Sequence, residues 1–224
     1  ATGGSVPIIP ATEVLFSTGA GFTGDNGFEF FSDTIDLTVG IDNNVNSGRT
    51  VVAGRENVSA TGAANSLVAG FRNTLGGSPS NASANLVVGE NNTVEGGRML
   101  VGGNTNTISN GILNGICTGF SNTMATGSSG SIIGGNDNTI SGNTSFLFGS
   151  TSNVSADTSF CVGTDNNVSG SNNAVFGNNN TLNNDGNNVF GNNNLSSHFN
   201  SFVIGQNSTC DADDTVAIGR GAFA

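Results

Sequence analysis

Tryptophan and tyrosine are absent from the 224 residues, and histidine occurs once. Without Trp and Tyr, the chain has none of the amphipathic rings that usually make contacts on an extended carbohydrate-binding surface. The one histidine, His198, stands beside Ser196 and Ser197 in a spacer, so a nucleophile and base have little to draw on. Carboxylates are scattered rather than paired. Five basic residues face 16 acidic ones, for a formal charge of −11, and no run of Lys or Arg exists to neutralise phosphates. Neither nucleic acid nor an anionic membrane surface is an expected partner. No stretch approaches the roughly 20 consecutive apolar residues of a transmembrane helix, and no charged-then-apolar signal pattern opens the chain.

Three cysteines cannot complete a set of intrachain disulfides. Cys117 and Cys161 sit two residues before a glycine, where similar stretches carry Val, Ile or Leu, and Cys210 sits at an apolar position five residues after one. They read as buried thiols acting as small hydrophobes. The chain begins at Ala1 and stops at Ala224 inside what reads as a further repeat, so it is read as a piece of something longer.

What the chain does have is glycine, 35 residues of it, in a recurring phrase. Ser145-Phe-Leu-Phe-Gly149, Ser159-Phe-Cys-Val-Gly163 and Asn173-Ala-Val-Phe-Gly177 share a small polar residue, three mostly apolar residues and a glycine. An Asn-rich segment follows each, with another apolar residue five places on, such as Val154, Val168 or Leu182. Thirteen register glycines mark the phrase: Gly40, 54, 70, 89, 103, 119, 135, 149, 163, 177, 191, 205 and 219. Eight of the twelve steps are 14 residues, three are 16 and one is 19, and the last six are all 14. The extra residues fall between the Asn segment and the next triplet, as in the 76–84 stretch. Insertions confined to one position mark a loop on one face of a coil.

A 14-residue coil with two turns leaves two strands of about four residues, which is right for an all-β parallel solenoid and too short for helices. Residues 1–13, with Pro7 and Pro10, read as an arm or linker. Residues 14–39 read as a hairpin-like leader that caps the first coil, with its turn near Ser32-Asp33. Residues 40–224 are the repeats, expected to continue further.

Two residues before the glycines stand Val52, Val68, Val87, Val101, Ile133, Leu147, Val175, Val189 and Val203, a column suited to the coil interior. Their neighbours point the other way in a strand, yet they too are apolar. A strand apolar on both faces is buried on both, and one thin coil has a single inside. The second face is therefore expected to pack against other copies of the chain. Its members are Phe146, Phe148, Phe160, Phe176, Phe190, Phe202 and Ile204, where large residues trade places with small ones such as Ala174. Three residues after the glycines runs an Asn column that includes Asn73, Asn92, Asn106, Asn122, Asn138, Asn166 and Asn180. Asn tolerates left-handed backbone and bonds to nearby backbone groups, and stacked amides can ladder along the axis.

Asn200-Ser-Phe-Val-Ile-Gly205-Gln-Asn-Ser208 and Thr215-Val-Ala-Ile-Gly219-Arg-Gly-Ala222 resemble the head repeat of YadA-like trimeric adhesins, Asn-Ser-Val-Ala-Ile-Gly-x-x-Ser. Asn65-Ser-Leu-Val-Ala-Gly70 is a looser match. The resemblance implies a left-handed parallel β-roll with three chains around a common axis. Val14-Leu-Phe-Ser-Thr-Gly and Gly24-Asp-Asn-Gly27-Phe-Glu-Phe are similar to segments that introduce repeats in phage tail-fibre and other virion-fibre proteins. The implied function is structural: a homotrimeric rod in a virion fibre, partnered by other fibre proteins and a host-cell receptor, or else a bacterial surface adhesin head. No enzyme activity, metal or other cofactor is expected. Asp211, Asp213 and Asp214 read as a solvated acidic loop that would hold Ca²⁺ only if three copies converged. An ice- or polysaccharide-binding solenoid is a further alternative, resting on Thr74, Thr93, Thr107, Thr123, Thr139 and Thr181, a column broken by Asn44, Val58 and Asn167. A polysaccharide-cleaving solenoid would need a carboxylate pair in a groove, which the sequence does not mark.

Overall fold

The computed structural model describes residues 28–31, 36–46, 48–76 and 84–224. It is an all-β solenoid of parallel strands with about thirteen turns. Each full coil has one long and one short strand. Thirteen long strands, from Asp36–Ile41 to Val216–Arg220, stack in chain order, and twelve short ones, from Asn44–Val45 to Thr209–Cys210, form the second sheet. Register is kept throughout: Gly40 pairs with Gly54, Gly54 with Gly70 and Gly205 with Gly219, and at the short strand Ala174–Phe176, which stops before Gly177, the same register is kept by Val162 with Phe176 and Phe176 with Phe190. At the first edge, Phe28–Phe31 pairs antiparallel with Asp36–Ile41, Phe28 opposite Val39 and Phe31 opposite Asp36. The arm at 1–13, the earlier part of the leader, its turn and most of the 76–84 loop lie outside the described residues.

The strands are unequal, typically five residues and two, where the coil length alone suggests two of about four. The backbone turns left-handed twice per coil, and only one of the two stretches between those turns carries a register glycine, through which its strand continues, as Phe146–Ser150 does through Gly149. From Asp137 onward a residue with φ between 53° and 77° recurs every seven positions: Asp137, Thr144, Thr151, Thr158, Asp165, Asn172, Asn179, Gly186, Asn193, Asn200, Asn207, Asp214 and Gly221. The 14-residue coil is thus two seven-residue halves that open alike and differ at the register glycine, which only one of them carries. Each half runs left-handed residue, buried polar residue, outward residue, buried apolar residue, then three more. The code fills the interior with Ile140, Leu147, Val154, Cys161, Val168, Val175, Leu182 and Val189 in unbroken alternation, all with no exposed surface.

Left-handed backbone costs an L-residue about 1–2 kcal/mol, and Thr more than Asn. The coil offsets this by hydrogen bonding. Each left-handed residue donates its N–H to the preceding coil, Thr151 to the Asn136 carbonyl at 2.9 Å and Thr158 to that of Asn143 at 2.9 Å. Ordinary strand residues donate forward, as Phe160 does to the Asn173 carbonyl. The register glycines have a different constraint. Their φ values lie between 106° and 158°, and on Gly163 a Cβ would stand 1.7 Å from the Gly177 carbonyl oxygen. Only glycine allows coils to stack that closely.

The 16-residue coils keep the code and add a two-residue bulge. Thr61-Gly62, Asn110-Gly111 and Thr126-Gly127 each end on a glycine with φ of 84–100°. In two of them the loop closes by a bond across four residues, Ala63 to Ala60 and Ser128 to Ala125, the pattern of a type II turn with glycine third.

Candidate interaction face

Two classes of side chain line up along the axis, one sealed inside and one facing outward. Inside, the Asn column is a continuous hydrogen-bonded line. Asn106 donates its backbone N–H and its Nδ2 to Asn92 Oδ1, both at 3.0 Å, and its Nδ2 also reaches the Gly119 carbonyl at 2.9 Å. Asn73, Asn92, Asn122, Asn138 and Asn180 repeat that pattern against the amide of the coil before, and all are buried. Where Ser152 replaces Asn, its Oγ accepts from the Asn166 N–H at 3.1 Å, so the line continues through one thinner rung. It ends at Ser208, whose Oγ accepts the Ala222 N–H.

A second ladder runs along the other corner. Ser159 donates its N–H to Ser145 Oγ, Asn173 to Ser159 Oγ, Asn187 to Asn173 Oδ1 and Ser201 to Asn187 Oδ1, at 2.7–3.3 Å. Sequence reasoning sees these residues only as the polar start of each phrase. The available signal was their seven-residue offset from the first column.

The outward face of the long sheet is apolar and uncovered. Phe148, Phe160, Phe176, Phe190 and Ile204 are 36–42% exposed, and Phe146 and Phe202 are half-buried against them. The rings form one stack: Phe146 on Phe160 at 4.6 Å between centroids, Phe160 on Phe176 at 5.1 Å, Phe176 on Phe190 at 5.1 Å and Phe190 on Phe202 at 6.0 Å. The stack crosses between two columns. Ala174 pairs with Phe160 across the ladder and leaves room for Phe176 to reach it, and Gly134 gives the Phe148 ring the space a Cβ would fill at 2.7 Å. Toward the N-terminal end the same face carries Val51, Leu67, Leu86, Val88 and Leu100, also exposed. There a groove of about 820 Å³ opens along the adjoining turn, its lining including Leu67, Leu86, Leu100 and Ile116 together with Arg49 and Arg98.

The other side chains of interest do not converge. His198 Nε2 lies 3.5 Å from Asp211 and its Nδ1 3.4 Å from Asp213, all well exposed. Asp214 is turned away to accept from Asn200 Nδ2. Among the described residues no group of His, Cys, Asp and Glu is placed to hold a metal ion, and no helix is long and apolar enough to cross a membrane. The three cysteines are buried and unpaired as disulfides. Burial pushes the Cys117 thiol up to about 12, and Cys161 also to about 12 against a lowering hydrogen bond from Asn166. On the short sheet, Thr74, Thr93, Thr107, Thr123 and Thr139 stand in register over five successive coils, a stripe one residue wide.

Near Gly54 and Gly70 an exposed cluster decorates the far edge of the apolar face. Arg55 and Arg72 lie 4.7 and 4.4 Å from the Phe71 ring centroid, and Glu56 bridges both guanidiniums. No known family model matches the chain, and no curated protein sequence matches it.

Proposed function

We propose that the chain is a rod segment of a homotrimeric attachment fibre, built to hold a binding tip away from a particle or to touch a host surface itself. The observation that carries this reading is the apolar outer face. It runs along a sheet of thirteen parallel long strands, which at about 4.8 Å per strand is a strip about 60 Å long. With five-residue strands the strip covers roughly 900 Å², comparable with the roughly 800 Å² that one partner buries in a stable interface. Exposed apolar patches of this extent mark interaction sites. Closed rings of identical subunits are the usual way to cover a face on every copy.

The match of residues 200–208 and 215–222 to the YadA-like head repeat supports three as the number and a left-handed roll as the form. The resemblance of the leader to fibre segments favours a virion over a bacterial surface, with a bacterial adhesin head as the second reading. The mechanism is stiffness, supplied by backbone ladders and two internal polar ladders. The charge of −11 argues against nucleic acid as a partner. The threonine stripe is the one observation favouring an ice- or polysaccharide-binding solenoid, and thermal hysteresis of the pure chain would test it.

The fibre reading is tested by the mass of the native assembly in solution, measured by light scattering with and without Phe176→Asp. The expected result is a particle three times the 22.3 kDa chain mass that dissociates on substitution. A well-folded wild-type monomer would overturn it.

A further inference from the structure

We infer that Asn110 is a site of spontaneous modification: the backbone nitrogen of Gly111 attacks its side-chain amide, and the folded chain comes to carry an aspartyl or isoaspartyl residue there as it ages. The inference is independent of the trimer reading. It comes from the bulges, the part of the coil that stacking does not hold.

The chemistry sets what such a site must offer. The Gly111 nitrogen forms a bond to Asn110 Cγ and gives up its proton, and the side-chain nitrogen leaves as ammonia. The cyclic imide takes up one water, which opens it at either carbonyl to give aspartate or isoaspartate. The attacking nitrogen must be free of hydrogen bonds, the side chain must be free to swing onto it, and the next residue must not crowd the ring. Glycine, with no Cβ, meets the last requirement. Asn-Gly and Asp-Gly pairs are therefore the places to look.

The described residues contain three such pairs, Asn110-Gly111, Asn114-Gly115 and Asp185-Gly186. Two are held. Gly115 is buried, its N–H lies 3.2 Å from Met99 Sδ, and Asn114 Oδ1 accepts from Arg98 Nη1 at 3.4 Å. Gly186 donates its N–H to the Ser171 carbonyl at 2.9 Å, while Asp185 Oδ1 accepts the Ser171 N–H at 2.7 Å. Asn110-Gly111 has none of these ties. Both residues are exposed, and neither the Gly111 N–H nor the Asn110 amide has a hydrogen-bond partner among the described residues. Beyond the chain neighbours, no atom lies within 4 Å of where a Gly111 Cβ would stand. The chain is anchored on either side: Ser109 donates its N–H to the Met124 carbonyl at 2.9 Å, and the Ile112 carbonyl accepts the Gly97 N–H at 2.8 Å. The slack is confined to the bulge.

The ladder asparagines are protected by what Asn110 lacks. Asn106 Oδ1 accepts from Asn122, and its Nδ2 donates to the Gly102 and Gly119 carbonyls. The nitrogen that would attack it, that of Thr107, donates to the Asn122 carbonyl at 2.8 Å. Reaction there needs the coil to open first. At Asn110 it needs no opening, and the product adds a negative charge outside the stacked half-coils.

The test is ageing of the folded full chain at mildly alkaline pH, which favours loss of the Gly111 amide proton. Peptide mapping by mass spectrometry, with chromatography that separates isoaspartyl from aspartyl peptides, then reads each position. Asn110 is expected to convert roughly tenfold or more faster than Asn114, to both products, and the two rates are expected to converge when the chain is aged in denaturant. Gly111→Ala is expected to slow conversion at Asn110 by roughly tenfold, because its Cβ crowds the ring. An Asn110 that stays intact in the folded chain while it converts in denaturant would overturn the assignment. So would an Asn114 that keeps pace with Asn110 in the folded chain, or a rate at Asn110 that Gly111→Ala leaves unchanged.

Discussion

The two halves of the solenoid solve one stacking problem with different material. Between Gly40 and Gly135 the coils run 14, 16, 19, 14, 16 and 16 residues, the outer face is Leu and Val, and four of the five arginines lie there. Beyond Gly135 every coil has 14 residues, the outer face is a phenylalanine stack, and Arg220 is the lone basic residue. Yet the interior column and the left-handed turns cross the boundary, and so does the first Asn ladder, with one thinner rung at Ser152. What is held constant is therefore the seven-residue half-coil. The bulges at Thr61-Gly62, Asn110-Gly111 and Thr126-Gly127 are additions at a turn that leave stacking untouched.

The sharpest way to break the comparison is to set a register glycine against a bulge glycine. Gly163→Ala puts a Cβ 1.7 Å from the Gly177 carbonyl oxygen, where backbone must move in two coils, and should cost at least about 3 kcal/mol by denaturant melts. Gly111→Ala has φ of 84° but no atom within 4 Å of the new Cβ. It should cost only the left-handed penalty, about 1–2 kcal/mol. Equal losses would mean that bulges are as integral as stacking positions.

Next in size is the ladder. Asn166→Ala removes the acceptor of the Asn180 N–H and Nδ2, both buried, and the donor to the part-buried Gly177 carbonyl. Leaving such groups unpaired should cost about 2–3 kcal/mol. Asn106→Ala in the irregular half should cost the same, because the rung is the same.

The buried thiols sample both halves, Cys117 in one and Cys161 in the other. Each has a folded-state pKa raised from 9.0 to about 12 by burial. The folded chain keeps protons that the unfolded chain releases in that window. Their contribution is therefore intact below pH 9 and is lost as pH rises toward 12, at about 1.4 kcal/mol per pH unit per thiol. Denaturant melts between pH 8 and 11 measure it, and Cys161→Val should remove that residue's share of the slope.

The smallest effect concerns a flaw in the regular half. Ser196 sits fully buried between Leu182 and Cys210 in the apolar column, and its Oγ has no partner among the described residues. Ser196→Ala should raise stability by about 1 kcal/mol. A loss would show that the hydroxyl is satisfied in solution.

Much of this architecture is legible in the chain because glycine admits no substitute where two backbones approach, so Gly149, Gly163 and Gly177 announce the coil directly. Val154, Val168 and Leu182 announce the second inward position for the same reason of space. The half-coil is hidden because its defining feature is a backbone angle, and Thr144, Thr158, Asn172 and Asp214 share that angle without sharing chemistry. The second ladder is hidden because Ser145 and Asn173 do one job with different side chains, through an Oγ in one and an Oδ1 in the other. The strand lengths follow from the hidden turns together with the register glycine: the half-coil that has no such glycine keeps only two strand residues, as at Asn153–Val154. The outer face was visible as excess apolarity in Phe146, Phe176 and Phe190. Its proposed cover, other copies of the chain, is a matter between chains.

That cover is best measured by labelling. A cysteine placed at Phe190, on the outer face of the long sheet, is compared with one at Asn167, exposed on the short sheet, each reacted with a maleimide in the native assembly. If the long sheet faces other copies, Phe190→Cys labels far more slowly than Asn167→Cys, and the two rates converge on dilution or denaturation to single chains. Equal rates in the undiluted, folded protein would mean that the apolar face stands open to water and that no interchain core exists.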